Sequence, residues 1–105
     1  MIRCYRDEEG YCRVDAKDLH PLIAAYLEQD VQGDPVACQE LFGILEEVEH
    51  GRRVEWSGTG NAHTVTIRPD AVVIHNEWDD SLGDAHLPRD VFRGCIEAWQ
   101  ACISS

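Results

Sequence analysis

Residues 52–78 read RRVEWSGTGNAHTVTIRPDAVVIHNEW and decide the fold of the chain. Apolar and polar side chains alternate through residues 62–68, as they do in a strand that buries one face. The Gly-Thr-Gly-Asn sequence at 58–61 suits a tight hairpin connection, and Pro-Asp at 69–70 suits a second turn. We therefore predict an antiparallel meander of three strands, at 52–57, 62–68 and 71–78.

Helical periodicity precedes the meander. Asp34 and Pro35 suit an N-cap and a first helical position, and Gly51 suits the residue after a helix end. Between them, apolar residues recur at three- and four-residue spacing, which predicts a helix with one core-facing side. The predicted core-facing residues are Ala37, Leu41, Ile44, Leu45 and Val48.

Three further elements complete the predicted order. Residues 2–6 and 11–15 flank an acidic turn that contains glycine, and this arrangement predicts a β-hairpin. Apolar spacing predicts a short helix over about 17–29, although Pro21 suits a first turn and favours a start near His20, and it predicts a last helix that opens at Pro88. The order ββ-αα-βββ-α predicts an α+β fold in which an antiparallel sheet packs against helices. We expect residues 1–105 to form a single domain.

The charge of the chain is strongly one-sided. Twenty Asp and Glu residues oppose nine Lys and Arg residues, which gives a formal net charge of -11. A surface of this sign repels nucleic acid and anionic membranes and attracts basic proteins. We therefore expect a basic protein partner, with no nucleic-acid partner and no membrane partner. Acidity also raises solubility, and this simpler interpretation stays open.

The cysteines and the N-terminal residues bear on the compartment. An odd number of cysteines without a Cys-x-x-Cys motif is typical of reduced thiols, not of a disulfide framework. The residues after Met1 lack the apolar segment of a secretory signal, and the apolar run at 22–27 is too short to span a bilayer. We expect a cytoplasmic protein without a cofactor. The five cysteines are Cys4, Cys12, Cys38, Cys95 and Cys102.

Catalytic and metal-binding motifs are missing from the sequence. It has no Gly-x-Ser-x-Gly motif, no phosphate-binding glycine loop and no His-Glu-x-x-His motif. We therefore expect no enzyme, no catalytic residue and no metal site. One alternative is a small ligand-binding or enzymatic domain that uses His63, His75 and nearby carboxylates, since both histidines fall on neighbouring predicted strands. Another alternative is a homo-oligomeric structural protein that associates through a sheet edge.

Carboxylates surround a tryptophan at the end of the third predicted strand and in the polar loop predicted at 79–86. An aromatic anchor among acceptors for Arg and Lys has the composition of a binding hot spot. The alternation of Trp78 with Val72 and Ile74 favours the opposite interpretation, in which the indole faces the core. A second acidic group ends the second helix, where the helix dipole disfavours it, and the Arg-Arg pair at 52–53 that follows at once is placed to offset it. The candidate partner-binding residues are Glu77, Trp78, Asp79, Asp80, Asp84, Glu46, Glu47 and Glu49.

Several stretches resemble a family of small bacterial immunity proteins, the CdiI type of contact-dependent growth inhibition (CDI) systems. Residues 55–67, EWSGTGNAHTVTI, are similar to the Trp-x-Gly-Thr-Gly-Asn strand–turn–strand of that family. The resemblance covers about residues 20–103 and departs from the family at Ala71, where the turn usually offers Gly. The other similar stretches are 71–76 (AVVIHN), 87–92 (LPRDVF), Trp99 and 49–51 (EHG).

The resemblance implies a cytoplasmic protein that binds the toxic C-terminal domain of a cognate CdiA-type effector as a 1:1 heterodimer and neutralises it. Many such toxins are nucleases, including tRNA nucleases, and a nuclease presents a basic surface to its phosphate-rich substrate. An acidic inhibitor that covers this surface would fit the net charge of -11. The family supplies no contact residues, because immunity surfaces vary with their toxins.

Overall fold

The computed structural model describes residues 2–15, 17 and 19–105. It confirms the α+β class and the order ββ-αα-βββ-α, and it adds a fourth strand to the meander. The strands form two antiparallel sheets, one from the N-terminal hairpin and one from the meander. In chain order the elements are β1 (Arg3–Arg6), β2 (Cys12–Asp15), α1 (Pro21–Tyr26), a π-helical turn (Leu27–Val31), α2 (Pro35–Glu49), β3 (Trp56–Thr59), β4 (His63–Ile67), β5 (Val72–Asn76), β6 (Ala85–Leu87) and α3 (Arg89–Ile103).

The four-stranded sheet has the order β3-β4-β5-β6 and buries one of its faces. Thr64 on β4 lies opposite His75 on β5. Because successive side chains of a strand point to opposite faces, the sheet has an inner face toward the helices and a partly exposed outer face. The outer face carries Thr64, Thr66 and His75. The inner face of β4 and β5 carries the buried residues His63, Val65, Ile67, Val72 and Ile74.

β3 begins and ends later than predicted. The prediction placed this strand at 52–57, whereas the structure has it at Trp56–Thr59, and Val54 is 84% exposed. The backbone N–H of Arg52 donates to the Glu47 carbonyl at 2.9 Å, so the start of the predicted strand is instead hydrogen-bonded to the last turn of α2. The predicted tight connection to β4 consequently loses its first two residues to the strand.

A short strand replaces part of the polar loop predicted at 79–86. β6 pairs with β5 in antiparallel register, with Ala85 opposite Ile74. Ala85 and Leu87 are buried and His86 between them is exposed, which is the alternation of a strand. A single apolar–polar–apolar alternation is too short a pattern to predict a strand, because loops contain it as well.

The first helix is shorter than the predicted helix over 17–29, of which Asp18 lies outside the described residues. It starts after His20, whose Nδ1 caps it by accepting a hydrogen bond from the Leu22 N–H at 3.2 Å. A capping side-chain acceptor satisfies one of the amide groups that a helix start leaves unpaired.

A π-helical turn continues this helix. The Gln32 N–H donates to the Leu27 carbonyl at 2.8 Å, five residues back, which is the hydrogen-bond spacing of a π-helix. Gln32 then adopts a φ of 55°, in the left-handed region that favours glycine. Its carbonyl accepts from the Trp99 indole N–H at 2.7 Å, so a contact with α3 holds this unusual backbone.

α2 matches its prediction at both ends. Asp34 Oδ1 accepts from the Val36 N–H at 2.9 Å, which confirms the N-cap, and Gly51 has a φ of 73° after the helix end. Three of the five predicted core-facing residues are buried, and the other two, Ala37 and Ile44, are half-buried. Sequence signals at helix ends are therefore reliable here.

The core fills the space between the inner face of the sheet and the helices, and its largest fully buried side chains include Trp99, Phe92, Leu22 and Leu27. The N-terminal hairpin packs against α3 at the margin of this core. Arg6 donates to the carbonyls of Cys102 and Ser105 at 3.2 and 3.0 Å. This arginine therefore ties the N-terminal hairpin to the end of α3.

Candidate functional site

The first group of predicted partner-binding residues lies in residues 77–84, which we name the acidic loop. It follows β5 and leads into β6 at one end of the four-stranded sheet. Trp78 is 82% exposed, so the interpretation that places its indole in the core is wrong. The reason is an Asx turn: the Asn76 side-chain oxygen accepts from the N–H groups of Trp78 and Asp79 at 2.8 and 2.9 Å, which ends the alternation of the strand.

A hydrogen bond fixes the exposed indole. The Trp78 Nε1–H donates to the Asn61 carbonyl, in the turn between β3 and β4, at 3.1 Å. The ring therefore has a defined place on the surface while most of its area faces solvent. A large aromatic side chain that is held in place before binding loses little conformational entropy when a partner covers it.

Hydrogen bonds within the acidic loop hold the Asp79 carboxylate and the loop backbone in place. Asp79 Oδ1 accepts from the Ser81 N–H at 2.9 Å, and hydrogen bonds from Ser81 keep the pKa of Asp79 below its ordinary value. The Gly83 N–H donates to the Asp80 carbonyl at 3.0 Å. Leu82 is exposed beside them, so the loop presents an apolar side chain together with its charges.

His75 links the acidic loop to the outer face of the sheet. Its Nδ1 lies 2.6 Å from Asp84 Oδ1, and its Nε2 lies 3.9 Å from Glu77 Oε1. The hydrogen bond with Asp84 raises the pKa of His75 above its ordinary value, and the charge of Glu77 raises it further. Thr64 on β4 donates to Glu77 Oε1 at 2.6 Å and lies 2.8 Å from the Thr59 hydroxyl. This network joins three strands and the loop into one polar surface.

The second group of predicted residues lies elsewhere. Glu49 borders a surface cleft with Pro69 and Asp70, which form the turn between β4 and β5. The acidic loop begins at the opposite end of β5. The five residues of β4 alone span about 17 Å, so the two groups do not form one continuous patch.

Arginines pair with two glutamates of this second group. Glu47 Oε2 lies 2.8 Å from Arg53 Nε, and Glu49 Oε2 lies 3.7 Å from Arg93 Nη2. These pairs reduce the local excess of negative charge that the sequence suggested at the end of α2. Glu46 is exposed, and its backbone carbonyl accepts from the His50 N–H at 3.0 Å.

His63 occupies the inner face, where it pairs with a residue that the sequence reasoning missed. Its side chain is 0% exposed, and its Nδ1 lies 3.0 Å from Asp30 Oδ1. Asp30 comes from the π-helical turn, and its Oδ2 also accepts from the His63 N–H at 2.9 Å. His63 Nε2 is buried and has no hydrogen-bond partner among the described residues. No sequence signal marks Asp30, because a π turn shifts it out of helical register.

The two histidines of the alternative site face opposite sides of the sheet. His63 is buried on the inner face, and His75 lies on the outer face opposite Thr64. A single ligand cannot contact both side chains, so the alternative in which the two histidines share one site is wrong. The carboxylates divide in the same way, with Asp30 beside one histidine and Asp84 beside the other.

Among residues 2–15, 17 and 19–105, no group of three or more His, Cys, Asp or Glu side chains is arranged to hold a metal ion. Over the same residues, no helix has the length and apolar composition needed to cross a bilayer. The acidic loop and the adjoining outer face of the sheet bring together the exposed Trp78 indole and several carboxylates. No protein-family model, no curated protein and no solved structure matches the chain.

Proposed function

We propose that the chain is an immunity protein that binds the toxic C-terminal domain of a contact-dependent growth inhibition effector and blocks it in a 1:1 complex. The observation that carries the proposal is Trp78 of the acidic loop, which is 82% exposed and whose indole N–H donates to the Asn61 carbonyl. An exposed tryptophan is costly to keep in water, and among carboxylates it suits a partner with both apolar and cationic groups.

Charge complementarity indicates the class of toxin. A nuclease carries a basic cleft for its phosphate-rich substrate, and the chain has a net charge of -11. An acidic inhibitor competes for such a cleft and also accelerates its own association by long-range attraction. We therefore propose a nuclease toxin, such as a tRNA nuclease, as the partner.

We assign the contact to the acidic loop and exclude the second glutamate group from it. Arg53 and Arg93 pair with Glu47 and Glu49, so a basic partner would have to displace these arginines. Asp79 and Asp80 are exposed, and the hydrogen bonds of Asp79 come from the loop itself, which leaves both carboxylates accessible to a partner's Arg or Lys.

We propose that the gene immediately upstream encodes the cognate effector, and the test is binding to the C-terminal domain of that gene product. We expect Trp78→Ala to weaken the complex by at least about 30-fold, the effect of a hot-spot side chain. The double change Asp79→Asn and Asp80→Asn should slow association and reduce its dependence on salt. Isothermal titration calorimetry gives the affinity, and stopped-flow fluorescence gives the association rate.

Two matched variants serve as controls. Tyr11→Ala removes another exposed aromatic ring, on the N-terminal hairpin, and Glu46→Gln with Glu49→Gln removes two charges at the end of α2. Both are expected to bind the toxin domain like the unmodified chain. Absence of a complex with the unmodified chain would refute the proposed function. Normal binding by the Trp78 variant would instead show that the contact lies on another surface.

A further inference from the structure

Two cysteines from opposite parts of the chain meet between the N-terminal hairpin and α3. The Sγ atoms of Cys12 on β2 and Cys102 on α3 lie 2.9 Å apart, although 90 positions separate the residues. Both are free thiols and both are half-buried. Sulfur atoms at this distance are closer than ordinary non-bonded contact, so disulfide formation would require only a small movement of the two side chains.

The surrounding contacts hold the two elements in this arrangement. Arg6 on β1 lies opposite Cys12 in the hairpin register and donates to the Cys102 carbonyl at 3.2 Å. The same guanidinium donates to the Ser105 carbonyl at 3.0 Å. The hairpin and the end of α3 are thus aligned by bonds that do not involve sulfur, and the thiols stay adjacent whether or not they react.

A cleft of about 540 Å³ gives access to one of the two thiols. Cys12 borders it together with Arg6, Arg13 and Glu28, and Ile103 closes one side. Of the two cysteines, Cys12 is the one that lines this cleft, which makes it the one we expect a small molecule in the cleft to meet.

We propose that Cys12 and Cys102 form a dithiol site that a small-molecule disulfide, such as glutathione disulfide, oxidises to an intramolecular disulfide. The Cys12 thiolate attacks one sulfur of the oxidant, which gives a mixed disulfide and releases one glutathione thiolate. The Cys102 thiolate then attacks Cys12 Sγ, and the second glutathione thiolate leaves. In total the protein loses two electrons and two protons, and the oxidant becomes two molecules of glutathione.

The third cysteine in this region is a poor competitor. Burial raises the pKa of Cys4 to about 12, with smaller contributions from Cys102 and Cys12. Burial raises the pKa of Cys102 to about 11, and the hydrogen bond with Cys12 adds to the shift. Because the thiolate is the reacting form, the second step should accelerate as pH rises above neutral.

The disulfide would tie the hairpin to α3 across most of the chain. A link between residues so distant in sequence restricts the unfolded chain strongly, and α3 and the hairpin are already in contact in the folded chain. We expect oxidation to raise the thermal midpoint by roughly 10 °C.

The experiment incubates the full chain with defined ratios of reduced and oxidised glutathione, unfolds it in denaturant and then alkylates the remaining thiols, so that the buried ones react as well. Peptide mass mapping should show a Cys12–Cys102 link and alkylation of Cys4, Cys38 and Cys95. In Cys102→Ser, a glutathione adduct on Cys12 should accumulate and the rise in thermal midpoint should disappear. Cys4→Ala is the matched control and should keep both the link and the rise.

Three results would overturn the proposal: thiols that stay reduced in excess glutathione disulfide, a link to Cys4 in place of Cys102, or a link between two chains. Circular dichroism of each reduced variant establishes that it is folded. If Cys102→Ser fails this criterion, Cys12→Ser replaces it and should leave Cys102 alkylated. The mass map of the unmodified chain does not depend on any variant.

Discussion

Two histidines on neighbouring strands of one sheet each pair with a carboxylate from outside those strands. The two pairs lie on opposite faces of the sheet. On the inner face, Asp30 lies 3.0 Å from Nδ1 of His63, and on the outer face, Asp84 lies 2.6 Å from Nδ1 of His75. The side chains of the inner pair are at most 3% exposed, whereas those of the outer pair are 38% and 40% exposed. The pairs share their chemistry and differ mainly in their access to water.

This difference assigns them different roles. Removing one partner of a buried pair leaves an uncompensated polar group in the core, which is expensive. Water and salt screen an exposed pair, so it contributes little to the free energy of folding. We therefore expect Asp30 and His63 to govern stability, and Asp84 and His75 to govern the charge of the proposed binding surface.

The largest expected effect comes from Asp30→Ala. It removes the acceptor for the backbone N–H and the ring of His63, and we expect it to lower the free energy of unfolding by about 3–5 kcal/mol. Urea denaturation followed by circular dichroism measures this loss. Asp84→Ala removes the equivalent carboxylate from the outer pair and should cost far less. Equal losses for the two variants would contradict the assignment of roles.

A smaller effect should follow from Gly60→Ala. A Cβ atom at this position would lie 2.5 Å from Asp30 Oδ2, so the carboxylate would have to move away from His63. We expect a loss of about 1–3 kcal/mol in the free energy of unfolding, as for an overpacked core site.

The same substitution in open space is the control for Gly60. A Cβ at Gly43, in α2, meets no atom of another described residue within 4 Å. Alanine suits a helix better than glycine, so Gly43→Ala should raise the free energy of unfolding by up to about 1 kcal/mol. Thermal denaturation measures the stability of the Gly60 and Gly43 variants relative to the unmodified chain. A Gly60 variant as stable as the Gly43 variant would show that Asp30 is not tightly held.

The smallest expected effect is the pH dependence of folding stability that comes from the Asp84–His75 pair. Asp84 raises the pKa of His75 above its ordinary value of 6.5, so Asp84→Asn should lower it, which an NMR titration of the ring protons measures. Because the folded-state pKa is the raised one, this pair stabilises the fold fully below pH 6.5 and loses its contribution as pH rises through the raised value. The stability difference between the unmodified chain and the variant should shrink over the same interval.

Asp80→Asn is the control for this titration. Asp80 acts on His75 only through its charge and ranks below the Asp84 hydrogen bond as a cause of the shift. Its removal should lower the pKa of His75 by less than Asp84→Asn does. An equal decrease would mean that overall loop charge, and not the hydrogen bond, sets the pKa.

Local patterns predicted the fold well wherever one residue type has a strong positional meaning. The alternation of β4 and the Asp34–Pro35 and Gly51 signals of α2 were confirmed. The pattern could not show where β5 ends, since alternation alone places Trp78 in the core. The Asx turn of Asn76 decides that question, and it depends on a side-chain hydrogen bond that competes with the strand.

The candidate site was predicted only in part. The acidic loop could be located from its composition, and Arg53 could be expected to offset the glutamates of α2 because it follows the helix at once. The contact of Glu49 with Arg93 could not be predicted, because Arg93 lies far away in sequence. The partner of His63 could not be predicted either, because 33 positions separate Asp30 from it and Asp30 lies in an irregular turn. Long-range pairing of charges depends on tertiary packing, which local periodicity does not encode.

The π-helical turn sets the angular position of one side chain. Each residue of a regular α-helix rotates the chain by about 100° around the axis. Deleting one residue between Leu27 and Asp30 would therefore rotate the carboxylate away from the sheet and leave the buried His63 imidazole without its hydrogen-bond partner. The length of the π-helical turn is therefore coupled to two distant positions. A chain with one residue fewer in this turn would have to replace His63 and would no longer need glycine at Gly60.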